Sequence, residues 1–211
     1  MRITKKIKQQ MLAILAEEYG RTTTALTYTS PFELLVAVVL SAQCTDTRVN
    51  IITARLFPAY DTPAKLLALG EERLAGLIRD CGLFRGKARN LIAASAMLLA
   101  EHGGEVPAKF EELIKLPGVG RKTANVLLSQ LFAVPAIAVD THVFRVANRL
   151  ELATGDTPRV VEEGLMKAVP RADWSSAHHW LIWHGRKICK ARRPDCGGCP
   201  LNQLCPSAFV V

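Results

Sequence analysis

No apolar run in this chain is long enough to cross a bilayer. The longest, Leu34–Leu40, is seven residues, where a spanning helix needs about 20. No secretory leader opens the sequence, because Met1 to Glu18 is amphipathic with charges scattered through it. The expectation is a soluble, cytoplasmic protein with no membrane role. Low-complexity segments are absent and 49% of the residues are hydrophobic, which argues against disorder. No fixed-period repeat appears, and no segment alternates as a strand would. An all-α fold of roughly ten short helices is left. Acidic residues are also short in number. The 211 residues hold 27 Lys and Arg against 19 Asp and Glu, a net charge of +8. Such an excess points to a polyanionic partner, although charge alone does not separate this from a basic protein without one.

The pattern places a first helix over Ile3–Tyr19, ended by Gly20. Ser30 and Pro31 open a second, Pro31–Gln43, almost wholly apolar and therefore buried. Cys44-Thr45-Asp46 breaks it before a helix at Thr47–Phe57. Short helices follow at Pro63–Leu69 and Glu71–Arg79. A glycine-bounded loop, Cys81–Gly86, then leads into a longer helix, Lys87–His102. Further helices are expected at Thr141–Leu150, Thr157–Val169 and Ala172–Cys189.

Between these lies Leu116-Pro117-Gly118-Val119-Gly120-Arg121-Lys122, which begins as a tight turn and ends as a helix. Pro117 stops the preceding helical run Phe110–Ile114. Gly118 and Gly120 permit positive φ and close backbone approach. Free N–H groups at the start of the next helix, with Arg121 beside them, make a site for an anion such as phosphate. The dinucleotide fingerprint is excluded, because the preceding strand and third glycine are missing. An ordinary helix corner with capping glycines is the plainer alternative.

Six cysteines in a reducing compartment argue for metal or core roles rather than disulfides. Cys189, Cys196, Cys199 and Cys205 have the spacing C-x6-C-x2-C-x5-C. So short and irregular a tail cannot order itself by burial alone and calls for a central ion or cluster. The uneven spacing suits an iron–sulfur cube better than zinc, which usually takes two pairs set further apart. Zinc stays open on spacing alone. Lys190, Arg192 and Arg193, between the first two ligands, form either a phosphate-binding loop or a solvated charged one. Cys44 and Cys81 read as small core residues.

Lys122 sits in the first turn of the hairpin's second helix. The positive helix end and Arg121 both disfavour an ammonium there. A neutral amine is a nucleophile toward an electrophilic carbon, and a phosphate contact is the alternative. Asp140, in Val139-Asp140-Thr141-His142, begins another helix and is an N-cap candidate. Its carboxylate can also stabilise a sugar cation or take a proton.

Hairpin, VDTH and cysteine tail together resemble the endonuclease III family, the iron–sulfur branch of the helix-hairpin-helix DNA glycosylases. The likeness extends through SPFELLVAVVLSAQCTD and HHWLIWHGR, so it covers nearly the whole chain. It implies two helical lobes with a cleft between them. One is a six-helix domain over 22–134. The other is a cluster domain made of 1–21 and 135–211. It implies a catalytic lysine at Lys122, a catalytic aspartate at Asp140 and a 4Fe-4S cluster on Cys189, Cys196, Cys199 and Cys205. It also implies removal of oxidised pyrimidines and strand cutting by β-elimination, performed by a monomer on damaged double-stranded DNA. Gly118, Gly120, Arg121 and the basic loop would hold phosphates. Gln43 and Leu83 resemble the residues with which the family enters the helix. His142 contacts the strand or only packs.

Overall fold

The computed structural model describes residues 3–20 and 22–210. Met1, Arg2, Arg21 and Val211, which the expected domain limits take in, lie outside the described residues. Among the described residues there are eleven α-helices, one short 3-10 turn and no strand. The chain divides into two compact units. One is Ala25–Ala133, and the other joins Met1–Thr24 to Val134–Val211.

The first unit is arranged around α2 (Pro31–Ser41), in which every residue from Phe32 to Leu40 is buried. Ser30 caps α2 through Glu33 N, and Pro31 takes the first position, where no hydrogen bond is lost. Three helices pack on α2. They are α3 (Asp46–Tyr60), α6 (Phe84–Glu101) and α8 (Arg121–Leu131). Helices α4 (Pro63–Leu69) and α5 (Glu71–Leu77) lie against α6, and the single turn α7 (Phe110–Leu113) leads into the hairpin before α8.

Several boundaries depart from expectation. Helix α2 stops at Ser41, so Gln43 lies beyond it, exposed, at φ +53°. Helix α6 begins at Phe84, because Gly86 sits in its first turn rather than in the loop. Leu83 stands at its N-cap in the left-handed conformation, φ +59°. Helix α3 runs on to Tyr60 through Pro58, whose missing N–H falls near the helix end.

In the second unit α1 (Lys5–Tyr19) and α9 (Thr141–Arg149) both pack on α11 (Trp174–Lys187), and α10 (Pro158–Ala168) packs on α9. Their apolar faces share one core, from Met11 and Leu15 through Val143, Val146 and Leu165 to Leu181 and Leu201. A Cβ added at Gly185 would stand 3.1 Å from atoms of His142, Arg145 and Val146, so α11 approaches α9 closely only because the residue is glycine. Trp180 is buried and donates from Nε1 to the Gly20 carbonyl at 2.7 Å.

His179 is 5% exposed in this unit. Burial first, then the Arg186 charge, lower its pKa from 6.5 to about 4, with Asp140 opposing. The folded state therefore keeps the ring neutral where the unfolded chain protonates it. Its contribution to stability is complete above pH 6.5 and is lost as pH falls toward 4, a swing of about 3 kcal/mol. Denaturant unfolding at a series of pH values should show His179→Gln flattening that window relative to wild type.

Candidate functional site

The hairpin shows why its two glycines differ. Gly118 adopts φ +82°, and a Cβ there would lie 2.9 Å from the Asn90 Cβ of α6. Both backbone and packing therefore demand glycine. Gly120 is different from expectation. It caps α8 in extended conformation, φ −89° and ψ 177°, and a Cβ there would meet nothing within 4 Å. The space in front of it is open. Gly120 brings no side-chain cap to α8, so the start of that helix opens on this space. Arg121 lies over the Phe110 ring at 5.1 Å, tying the two ends of the hairpin together. Lys122 follows, exposed, as the second residue of α8.

Asp140 belongs to the second unit and is the N-cap of α9. Its Oδ1 accepts from His142 N and Val143 N, both at 2.8 Å. Those two bonds fix the carboxylate's position. The neighbouring His142 ring lies 3.2 Å from the Arg145 guanidinium. Burial, outweighing the attraction of Asp140, lowers the His142 pKa.

The four tail cysteines line one cavity, together with Arg149, His184, Ile188 and Asn202. No three His, Cys, Asp or Glu side chains among the described residues converge closely enough for a single metal ion. Four thiols that line one cavity without converging on a single ion fit a polynuclear cluster with one thiolate per iron better than the zinc alternative. Burial, with the neighbouring cysteines adding to it, pushes the Cys199 and Cys205 thiols up. Four thiolates held there need a cationic core.

The surroundings of this cavity include three residues that pattern reading passed over. Arg149 donates to the Lys190 carbonyl at 2.7 Å and the Ala191 carbonyl at 3.2 Å, and its Nη1 lies 3.5 Å from Cys189 Sγ. Arg145 donates to the Cys189 and Gly185 carbonyls. Their i, i+4 spacing on α9 was the available signal. His184, on α11, has Nδ1 3.1 Å from the Tyr19 hydroxyl and Nε2 3.7 Å from Cys199 Sγ. Lys190, Arg192 and Arg193 are exposed on the loop that these arginines hold, with Arg193 at φ +51°. His178 and His179 stack with ring centroids 4.0 Å apart and form no metal group.

Gln43 and Leu83 come from two loops that the fold brings together. A Cβ on Gly82 would stand 3.1 Å from the Gln43 carbonyl oxygen. Leu83 is 63% exposed, so it is not a core leucine. Cys81 is buried, and Cys44, partly buried, is pushed up by burial and by a hydrogen bond with the Cys81 thiol.

This arrangement matches known proteins along its whole length. Residues 36–171 match the HhH-GPD superfamily base excision DNA repair protein model, and residues 189–205 match the iron–sulfur binding domain of endonuclease III. Endonuclease III of Rickettsia conorii is 52% identical over 204 residues, which cover 97% of each chain. The Escherichia coli K12 enzyme is 49% identical over 203 residues, covering 96% of each. A solved structure of a trapped endonuclease III–DNA covalent intermediate superposes with a TM-score of 0.94 at 49% identity, over 98% of both chains.

The hairpin geometry makes a contrast between its glycines. Gly118→Ala should destabilise the protein by about 1–3 kcal/mol, since it meets both left-handed strain and the Asn90 contact. Gly120→Ala should change stability by less than about 1 kcal/mol. Thermal unfolding of the two variants checks the difference.

Proposed function

The chain belongs to the endonuclease III family of base-excision-repair DNA glycosylases, and on that premise we propose how its residues act. It is a bifunctional DNA glycosylase and abasic-site lyase that carries a 4Fe-4S cluster. The lesions it removes are oxidised pyrimidines such as thymine glycol, which stack and pair poorly and are therefore cheaper to extrude. It works as a monomer on chromosomal DNA in the cytoplasm. No helix among the described residues is long and apolar enough to cross a membrane.

The observation that carries the mechanism is Lys122 exposed in the first turn of an uncapped helix. Phosphates beside the lesion bind the N–H groups there, across the open face of Gly120. That contact sets the sugar against the Lys122 side chain. Lys122 Nζ attacks C1′ of the flipped nucleotide as the C1′–base bond breaks, and the base leaves with the bonding pair. Loss of the amine proton and ring opening give a Schiff base between Nζ and C1′. The Schiff base acidifies the C2′ proton. Its removal expels the 3′ phosphate, and water later returns the amine. Asp140, held by two backbone N–H groups, stabilises the sugar cation or moves the proton.

The basic loop Lys190–Arg193 is the second phosphate grip. When bound, the cluster supplies four iron–thiolate bonds that pin this loop and no step of the reaction. Arg145 and Arg149 support the loop by donating to its carbonyls. Contacts of this kind carry no sequence information, as suits an enzyme that meets damage anywhere.

Borohydride should join the wild-type protein covalently to abasic or lesion-bearing duplex, and Lys122→Ala should give no adduct. Absence of a wild-type adduct would end the Schiff-base reading. Asp140→Asn separates cap from chemistry, because Asn caps a helix as well as Asp does. Stability should hold while turnover falls about a hundredfold. Arg192→Ala with Arg193→Ala should flatten the slope of log affinity against log salt by about 1 per lost phosphate contact. An unchanged slope would remove the loop from the interface.

A further inference from the structure

Lys87 is 5% exposed, the one lysine among the buried residues of the core. It lies one turn into α6, four residues after Leu83. Its Nζ meets three acceptors. They are the Leu40 carbonyl at 2.8 Å, the Ala42 carbonyl, and Cys81 Sγ at 3.0 Å. A lysine amine has three donors, so this set is complete. Cys81 Sγ in turn donates to the Leu40 carbonyl at 3.1 Å. One nitrogen therefore ties the C-terminal end of α2 to the start of the loop before α6.

Two strained residues stand immediately beyond these ties. Gln43 follows Ala42 at φ +53°, and Leu83 follows Cys81 and Gly82 at φ +59°. Neither is glycine, and left-handed backbone in such residues persists only where the surroundings enforce it. The two loops also touch directly, as the 3.1 Å approach of a Gly82 Cβ to the Gln43 carbonyl shows. Lys87 Nζ is bonded to both, to the end of the first through the Leu40 and Ala42 carbonyls and to the second through Cys81 Sγ.

We propose that Lys87 is a positioning residue, holding the Gln43 turn and the Leu83 loop as one rigid pair so that both enter the duplex together. The inference rests on the reading of Gln43 and Leu83 as the residues that enter DNA. Lys87 touches neither substrate nor the reacting atoms. Its influence falls on extrusion of the lesion from paired DNA, and a lesion that is already unpaired needs it far less.

The test uses the full-length, cluster-loaded protein. Single-turnover excision is measured on a lesion in paired duplex and on the same lesion in single-stranded DNA, and the ratio of the two rates is the readout. Stacking loss is followed by 2-aminopurine fluorescence beside the lesion. Lys87→Met keeps the length and removes all three donors. It should lower the paired-to-unpaired ratio about tenfold to a hundredfold and diminish the fluorescence rise, as a misplacement near 1 Å does. Should Lys87→Met fail to fold, Cys81→Ala removes one of the three acceptors, and a roughly threefold loss in the ratio is expected. Gln43→Ala and Leu83→Ala are run alongside. If these lower the ratio and the Lys87 and Cys81 variants do not, the proposal is overturned. If Gln43→Ala and Leu83→Ala leave it unchanged, the reading of those two residues fails, and the proposal with it.

Discussion

A helix that is apolar on every face has no solvent side on which to end. Helix α2 is such a helix, and its last carbonyls must find donors inside the protein. Lys87 supplies them from α6. The consequence reaches beyond stability. The same bonds draw the chain after α2 and the loop before α6 to one point, and two exposed residues of opposite chemistry, an amide and a leucine, are carried there in left-handed backbone. A demand created by burial is thus met in a way that shapes the surface.

The second unit repeats the logic with a different donor. The tail from Cys189 onward has too little apolar surface to hold its own backbone, and its carbonyls at Cys189, Lys190 and Ala191 face arginines of α9 rather than a sheet or helix. Four thiols around a shared cavity complete the anchoring when iron and sulfide bind. Arg145 and Arg149 stay in reach because Gly185 lets α11 lie against α9, and the core of Val143, Val146 and Leu150 fixes the rotation of that helix. Asp140, at its start, is held by the helix it begins. Capping and the role proposed for its charge are compatible, since two N–H bonds orient a carboxylate without neutralising it.

The helical fold was legible where a local rule is strong. A serine or threonine followed by proline marked the starts of α2 and α4 correctly, because capping involves only neighbours. The hairpin and the cysteine spacing stood out because glycine, proline and cysteine have few plain reasons to cluster. The misreadings share a cause as well. Gln43 was taken as the end of a helix and Gly86 as part of a loop because both fit the local pattern. Lys87 was marked only as the start of a helix, although it stands four residues before Leu91 on the stripe that continues to Leu98.

By itself the sequence determined which segments are helical, which turn needs glycine, which four thiols belong together and which family the chain resembles. Each of these follows from near neighbours or from spacing along the chain. Only tertiary structure decided that Gly120 is extended and open rather than left-handed, that Leu83 faces solvent, that the thiols line one cavity without converging on a single ion, and that a lysine lies buried. Those depend on which groups from distant segments occupy the same few ångströms. Burial and hydrogen-bond satisfaction are settled there, among residues 40 or more positions apart such as Leu40 and Lys87.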